Sequence, residues 1–165
     1  MILSAKPAII PVGARWKIHT DGALLGPNPA AVGSGGFTVW VNDLLYHAET
    51  RQKIGATNNQ CEFFAVYCAL DWCQAHYLHD IDIYTDSKLV LNWSNGVSLL
   101  KDQAIVQLAK DCDSFRSRVA FRVHWVKRTD RYQALTDFIA KSGLISPVKY
   151  SSVAQHRQLL GAYNA

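Results

Sequence analysis

Two stretches of the chain carry nearly the same pattern of apolar and polar positions. Trp16-Lys17-Ile18-His19-Thr20-Asp21-Gly22 alternates before ending in an acid and a glycine, and Ile81-Asp82-Ile83-Tyr84-Thr85-Asp86-Ser87 follows the same scheme. Alternation of period two predicts strands, and Gly22 predicts a sharp bend just past the first. Each strand would then carry an aspartate to its carboxyl end. Alternating or β-rich stretches at 35–41, 44–50 and 119–126 predict three more strands, with Asn42-Asp43 as a tight turn between the second and third.

Elsewhere the pattern is helical. A long helix is expected over 57–76, capped by Thr57 or a following Asn. Its body, Phe63 to Leu70, is apolar almost all round, the mark of a helix buried between layers. Glu62 is the exception, an acid placed in the first turn, where the helix dipole favours it. A short helix is expected over 86–95 and stops at Asn95-Gly96. Residues 97–101 form a brief loop, and 102–115 make an amphipathic helix with Ile105, Leu108, Ala109 and Cys112 inward. The last clear helix spans 132–142. The order β-β-β-α-β-α-α-β-α predicts an α/β fold. Its five-stranded mixed sheet would have strands 1–3 antiparallel, strands 4 and 5 parallel to strand 1, and helices on its faces. Pro7 and Pro11 make residues 1–14 an extended segment. Residues 143–165 are a tail with a weak helical pattern at Val153, Leu159 and Leu160 that nothing in the sequence places.

Composition narrows this only a little. The 165 residues suit one domain, here 15–142, and 49% apolar content suffices for its core. No stretch approaches the roughly 20 apolar residues that a membrane span needs. Residues 1–12 hold one lysine and two prolines, a poor match to a signal peptide, so an intracellular, cytoplasmic protein is expected. A net charge of +4 permits a polyanionic partner without demanding one. Cys61, Cys68, Cys73 and Cys112 form no Cys-x-x-Cys pair, so buried reduced thiols are expected and zinc is not.

The chemistry lies in four acids at the edges of elements. Asp21, Glu62, Asp86 and Asp137 are separated by 41, 24 and 51 residues. Adjacent parallel strands would bring Asp21 and Asp86 together, and Glu62 could point at the same spot. Clustered carboxylates resist ionising together. Hard cations such as Mg²⁺ relieve the conflict, and a pair of them suits phosphodiester hydrolysis.

The same residues carry a family resemblance. Thr20-Asp21-Gly22 with its Gly/Pro/Asn loop, Thr57-Asn58-Asn59-x-x-Glu62, Thr85-Asp86-Ser87, and Trp125-Val126-Lys127 followed by Asp137 resemble the four sequence blocks of type 1 ribonuclease H, in order, over about residues 15–142. The resemblance implies the ribonuclease H-like fold and hydrolysis of the RNA strand of RNA–DNA hybrids with Mg²⁺ or Mn²⁺, leaving 5′-phosphate and 3′-hydroxyl ends. It also implies that Asp21, Glu62, Asp86 and Asp137 hold two metal ions, Asp21 being shared by both. Gly22 would let the substrate backbone come close, and Asn28, Thr57, Asn58 and Asn59 would hold it.

Two departures qualify the resemblance. The loop 128–133 lacks the histidine that bacterial members often carry, leaving Arg128 and Arg131 to meet phosphate. The segment 93–102 is too short for a basic protrusion, which points to the family's minimal branch. Lys88 and the Lys127, Arg128 and Arg131 group are then the remaining expected phosphate contacts, with strong salt sensitivity. Residues 1–14 are too few for a preceding hybrid-binding domain, and a monomer is the working expectation. His19 and His124 read as structural. The alternatives are a DNA nuclease or strand-transfer enzyme of the same superfamily, and a non-catalytic nucleic-acid-binding module of the same fold.

Overall fold

A computed structural model describes residues 10, 13–97 and 100–165. Most of the extended segment expected at 1–14, with Pro7 and Pro11, and part of the loop expected at 97–101 lie outside them. The strands β1 (Trp16–Leu25), β2 (Ala30–Val41) and β3 (Leu44–Ala56) form an antiparallel meander. Asn42 and Asp43 take positive φ angles of 48° and 66°, the two-residue hairpin geometry that matches the twist of the flanking strands. β1 does not bend at Gly22. It stays paired with β2 as far as Leu25, with Gly22 opposite Gly35, and the expected loop shrinks to residues 26–29. The glycine serves helix packing instead.

The helix α1 (Asn58–Ala75) leads back to β4 (Asp80–Thr85), which lies parallel to β1 from Trp16↔Ile81 to His19↔Tyr84. Then come α2 (Lys88–Ser94), α3 (Gln103–Ser114) and a 3-10 turn (Phe115–Ser117). β5 (Ala120–Trp125) pairs parallel with β4 and is followed by α4 (Arg131–Ser142). The chain closes with β6 (Lys149–Tyr150) and α5 (Val153–Asn164). The sheet order is β5-β4-β1-β2-β3-β6. Six strands thus lie among the described residues, where the sequence pattern predicted five. β6 pairs with the edge of β3 through two residues, too few for any alternation to register.

Successive residues of a strand face opposite sides of the sheet, and each side has its own core. On one, α1 buries Phe63, Val66, Leu70 and Trp72 against Ile18, Phe37, Val39, Ile81 and Ile83, and α3 closes over α1 with Ile105, Leu108 and Cys112. Each such side chain contributes about 1.5–3 kcal/mol by leaving water. On the other, Trp40, Leu45 and Ala48 meet Leu135 and Ile139 of α4 and Leu159 and Leu160 of α5. That core gives the tail its place. Cys61, Cys68, Cys73 and Cys112 are buried free thiols. No helix among the described residues is long and apolar enough to cross a membrane.

Candidate active site

β1 outruns β4, and the site lies where the pairing stops. The ladder ends at His19↔Tyr84; carried two residues further, its register sets Asp21 beside Asp86. Glu62 approaches from α1. Thr57 caps that helix by accepting the Gln60 N–H at 3.2 Å, while Gln60 Oε1 accepts the Thr57 N–H, also at 3.2 Å. The cap places Glu62 in the second turn rather than the first, so its placement owes nothing to a position at the helix N-terminus.

What brings Glu62 to Asp21 is Gly22. A Cβ at Gly22 would lie 2.6 Å from the Cys61 carbonyl carbon and 2.7 Å from the Glu62 nitrogen, so a side chain there would push α1 away. The Gly22 N–H also donates to Asp21 Oδ1 and Glu62 Oε1, both at 3.0 Å. From the opposite side α4 comes as close. A Cβ at Gly36 would touch Ala140 at 3.0 Å, Thr38 and Thr136 hydroxyls meet at 2.7 Å, and Gln133 Nε2 donates to the Thr20 carbonyl at 2.8 Å. Asp137 rides on this helix, its Oδ2 2.9 Å from Lys141 Nζ.

Carboxylate oxygens of Asp21, Glu62 and Asp86 all lie within 4.8 Å of one another. Asp21 and Glu62 are only 4% and 7% exposed. Burial, with the negative charges of Glu62 and Asp86 added, drives the Asp21 carboxyl far above its ordinary range. Burial raises Glu62 as well, against the opposing hydrogen bonds from Asp21 and the Gly22 amide. Asp86 is raised by burial in spite of Arg128. Glu62 Oε2 is buried and accepts no hydrogen bond. Hard oxygen donors, excess negative charge and an unsatisfied carboxylate oxygen together fit a divalent cation.

The surrounding cleft, of about 310 Å³, is lined by Asp137, Asn58, Asn59, Lys88 and Arg128 besides the three acids and Gly22. Arg128 is largely exposed, its Nε 3.8 Å from Asp86 Oδ2. Lys88 Nζ sits 3.7 Å over the Trp125 ring, and Trp125 Nε1 donates to the Asp86 carbonyl at 3.1 Å. Asn28 does not line the cleft; its Oδ1 accepts the Asn58 N–H at 3.2 Å and ties the β1–β2 loop to α1. Thr57 is committed to its cap. Arg131 donates to Tyr132 Oη at 2.7 Å and stacks on that ring, away from the acids.

His19 and His124 are both held by neighbouring side chains. His19 is buried and stacks on Tyr84 with centroids 4.9 Å apart, and desolvation pulls its imidazole down to about 4 despite its bond to Gln133. It is therefore neutral at pH 7, and Asp130 at 3.9 Å makes no ion pair with it. His124 Nε2 bonds Asp82 Oδ1 at 2.8 Å. A larger groove, about 650 Å³, lies beside Trp16, Tyr77 and Arg122. Its two acids, Asp80 and Asp82, are both bound by Arg122, so it holds no free carboxylate cluster. Sequence reasoning names Trp125 only within a motif and gives Gln133 no place at the site. Gln133 did carry a signal: it lies four residues before Asp137 and so on the same helical face.

Comparison with known proteins agrees with this geometry. Residues 14–144 match the family model described as RNase H. The ribonuclease H of Bartonella tribocorum is 33% identical over 129 residues, covering 67% of this chain and 76% of that protein. The ribonuclease H of a Cyanothece species is 39% identical over 74 residues, and the chain spans 46% of its length. RNase H1 from the halophilic archaeon Halobacterium salinarum superposes with a TM-score of 0.72 at 23% identity, over 79% of this chain and 98% of that one. LC11-RNase H1 in complex with an RNA/DNA hybrid gives 0.71 at 20% identity, over 79% and 97%. At these identities the solved structures speak to the fold.

Proposed function

The chain belongs to the ribonuclease H family, and from that membership we propose that it hydrolyses the RNA strand of RNA–DNA hybrids, leaving 5′-phosphate and 3′-hydroxyl ends. The observation that carries this reading is the convergence of three carboxylates from β1, α1 and the end of β4 within 4.8 Å, with one Glu62 oxygen left unsatisfied. A phosphodiesterase working with divalent cations requires such a cluster, whereas a binding module gains nothing from buried acids that repel one another.

Asp21, Glu62, Asp86 and Asp137 would hold two Mg²⁺ ions, or Mn²⁺ in their place. Bound there, the ions supply an activated water and offset charge on the departing oxygen. The chain's own part is positioning. The Gly22 N–H fixes one oxygen each of Asp21 and Glu62, keeping both acids aimed into the cleft. Asn58 and Asn59, capped in place at the start of α1, present amides suited to a minor groove, where 2′-hydroxyls distinguish RNA. Lys88 and Arg128 line the cleft beside the acids and would meet the substrate phosphates.

The test is a cleavage assay with Mg²⁺ on labelled hybrid, duplex RNA and duplex DNA. We expect the RNA strand of the hybrid to be cut. Cleavage of duplex DNA with the hybrid left intact would overturn the reading in favour of a DNA nuclease, and inertness on every substrate would favour a binding module.

A further inference from the structure

We propose that Gln133 is a positioning residue that sets Asp137 against Asp21 by clamping the first turn of α4 to β1, an inference that rests on the metal-dependent reading of the acidic cleft. Gln133 is fully buried, and both ends of its amide are engaged. Its Nε2 donates to the carbonyl of Thr20, the residue that precedes Asp21, at 2.8 Å. Its Oε1 faces His19 Nδ1 at 3.0 Å. Since Nε2 is already donating, Oε1 is left to accept, and the neutral imidazole carries its proton on Nδ1. One side chain thus grips the two residues immediately before Asp21.

The reach of this clamp follows from helical geometry. Gln133 and Asp137 are one turn apart on α4, so their side chains share a face. Below Gln133 the same face continues with Thr136, bonded to Thr38, and Ala140, seated on Gly36. These lower contacts set the height of α4 over β2. Those two contacts are made to β2, whereas Gln133 bonds β1 at the two residues before Asp21. The upper end is anchored in turn: Asp130 Oδ1 accepts the N–H groups of Tyr132 and Gln133, both at 3.0 Å. The first turn is therefore closed before Gln133 reaches across. An apolar side chain of equal length would fill the same space but take from the Thr20 carbonyl and the His19 N–H the partner that Gln133 supplies, and tie the first turn of α4 less firmly to β1.

Losing a group that orients metal ligands from behind costs about 10- to 100-fold in metal affinity or activity, and Gln133, though it bonds no carboxylate itself, sets where two of them stand. Gln133→Met should accordingly weaken Mn²⁺ binding, followed by calorimetry on the protein without substrate, by about that factor, and lower kcat on hybrid while KM stays near the wild-type value. Because Gln133 acts through Asp137, Gln133→Met added to Asp137→Asn should produce no further loss of Mn²⁺ affinity. A residue that only supports the fold would lower the melting temperature and leave Mn²⁺ affinity and kcat, measured well below it, as in the wild type. That outcome overturns the proposal, as does full additivity in the double variant. If Gln133→Met does not fold, Gln133→Asn takes its place, since it keeps a buried amide but is one methylene too short to span Thr20 and His19; unchanged Mn²⁺ affinity in it overturns the proposal equally. A wild-type protein that binds Mn²⁺ but leaves hybrid uncut would fail the hydrolase reading alone, with the clamp still judged on the binding isotherms.

Discussion

Asp21 carries a conflict at the scale of a single residue. It is buried among acids, and its carboxyl and that of Glu62 hold protons far more tightly in the folded chain than in the unfolded one. Above the ordinary carboxylate range, about pH 4, the folded state therefore binds more protons than the unfolded state, and stability falls as pH rises. Asp21→Asn removes one of these groups. In EDTA it should raise the melting temperature by several degrees at pH 8, since ~1 kcal/mol is worth about 2–4 °C at this size, and by little near pH 4. Hybrid cleavage should disappear. A calorimetric scan in which the substitution lowers stability at pH 8 would show that burial is not what perturbs this acid. That Asp21, Glu62, Asp86 and Asp137 share one cleft was legible in the sequence because the blocks that carry them are contiguous. The Gln133 clamp was not, because its partners lie 113 and 114 positions away and nothing local marks them.

At the scale of elements, the site exists because two helices press unusually close to the β1–β2 hairpin from opposite sides. Gly22→Ala should push back the start of α1, costing about 1–3 kcal/mol in urea unfolding. Cleavage should fall by about 100-fold, since Glu62 moves with the helix. Gly161→Ala is the control: it lies in α5 with nothing within 4 Å, and should stabilise by about 0.5–1 kcal/mol. Equal effects at the two positions would refute the packing argument. Here the sequence was only half legible. Strand and helix periods locate the strands and helices that carry the acids, but Gly22 reads as a bend, because a glycine that admits a helix and one that turns a chain look alike in sequence.

At the scale of the whole molecule, the second core joins the tail to the part of the chain that carries the acids. Leu159 of α5 is 2% exposed and packs with Trp40, Leu135 and Ile139. Leu159→Ala should cost about 2–5 kcal/mol yet leave kcat at 10 °C within twofold of wild type, because Leu135 and Ile139 lie on the side of α4 away from Asp137. A stability loss below 1 kcal/mol would mean that the tail is not part of the core. The tail stayed unplaced by sequence because its apolar residues are sparse and their partners are supplied from far up the chain. The two residues of β6 reach further than their length suggests. Thr50, well along the 13-residue β3, donates its N–H to the Val148 carbonyl and accepts the Val148 N–H on its hydroxyl, both at 2.9 Å. Lys149 and Tyr150 then extend the cover to Glu49 and Ala48. Open strand edges recruit other chains. This short cover interrupts the edge of β3 at Ala48 to Thr50, so its loosening, on heating or by proteolysis near Pro147, would lengthen the open stretch on which another chain could pair.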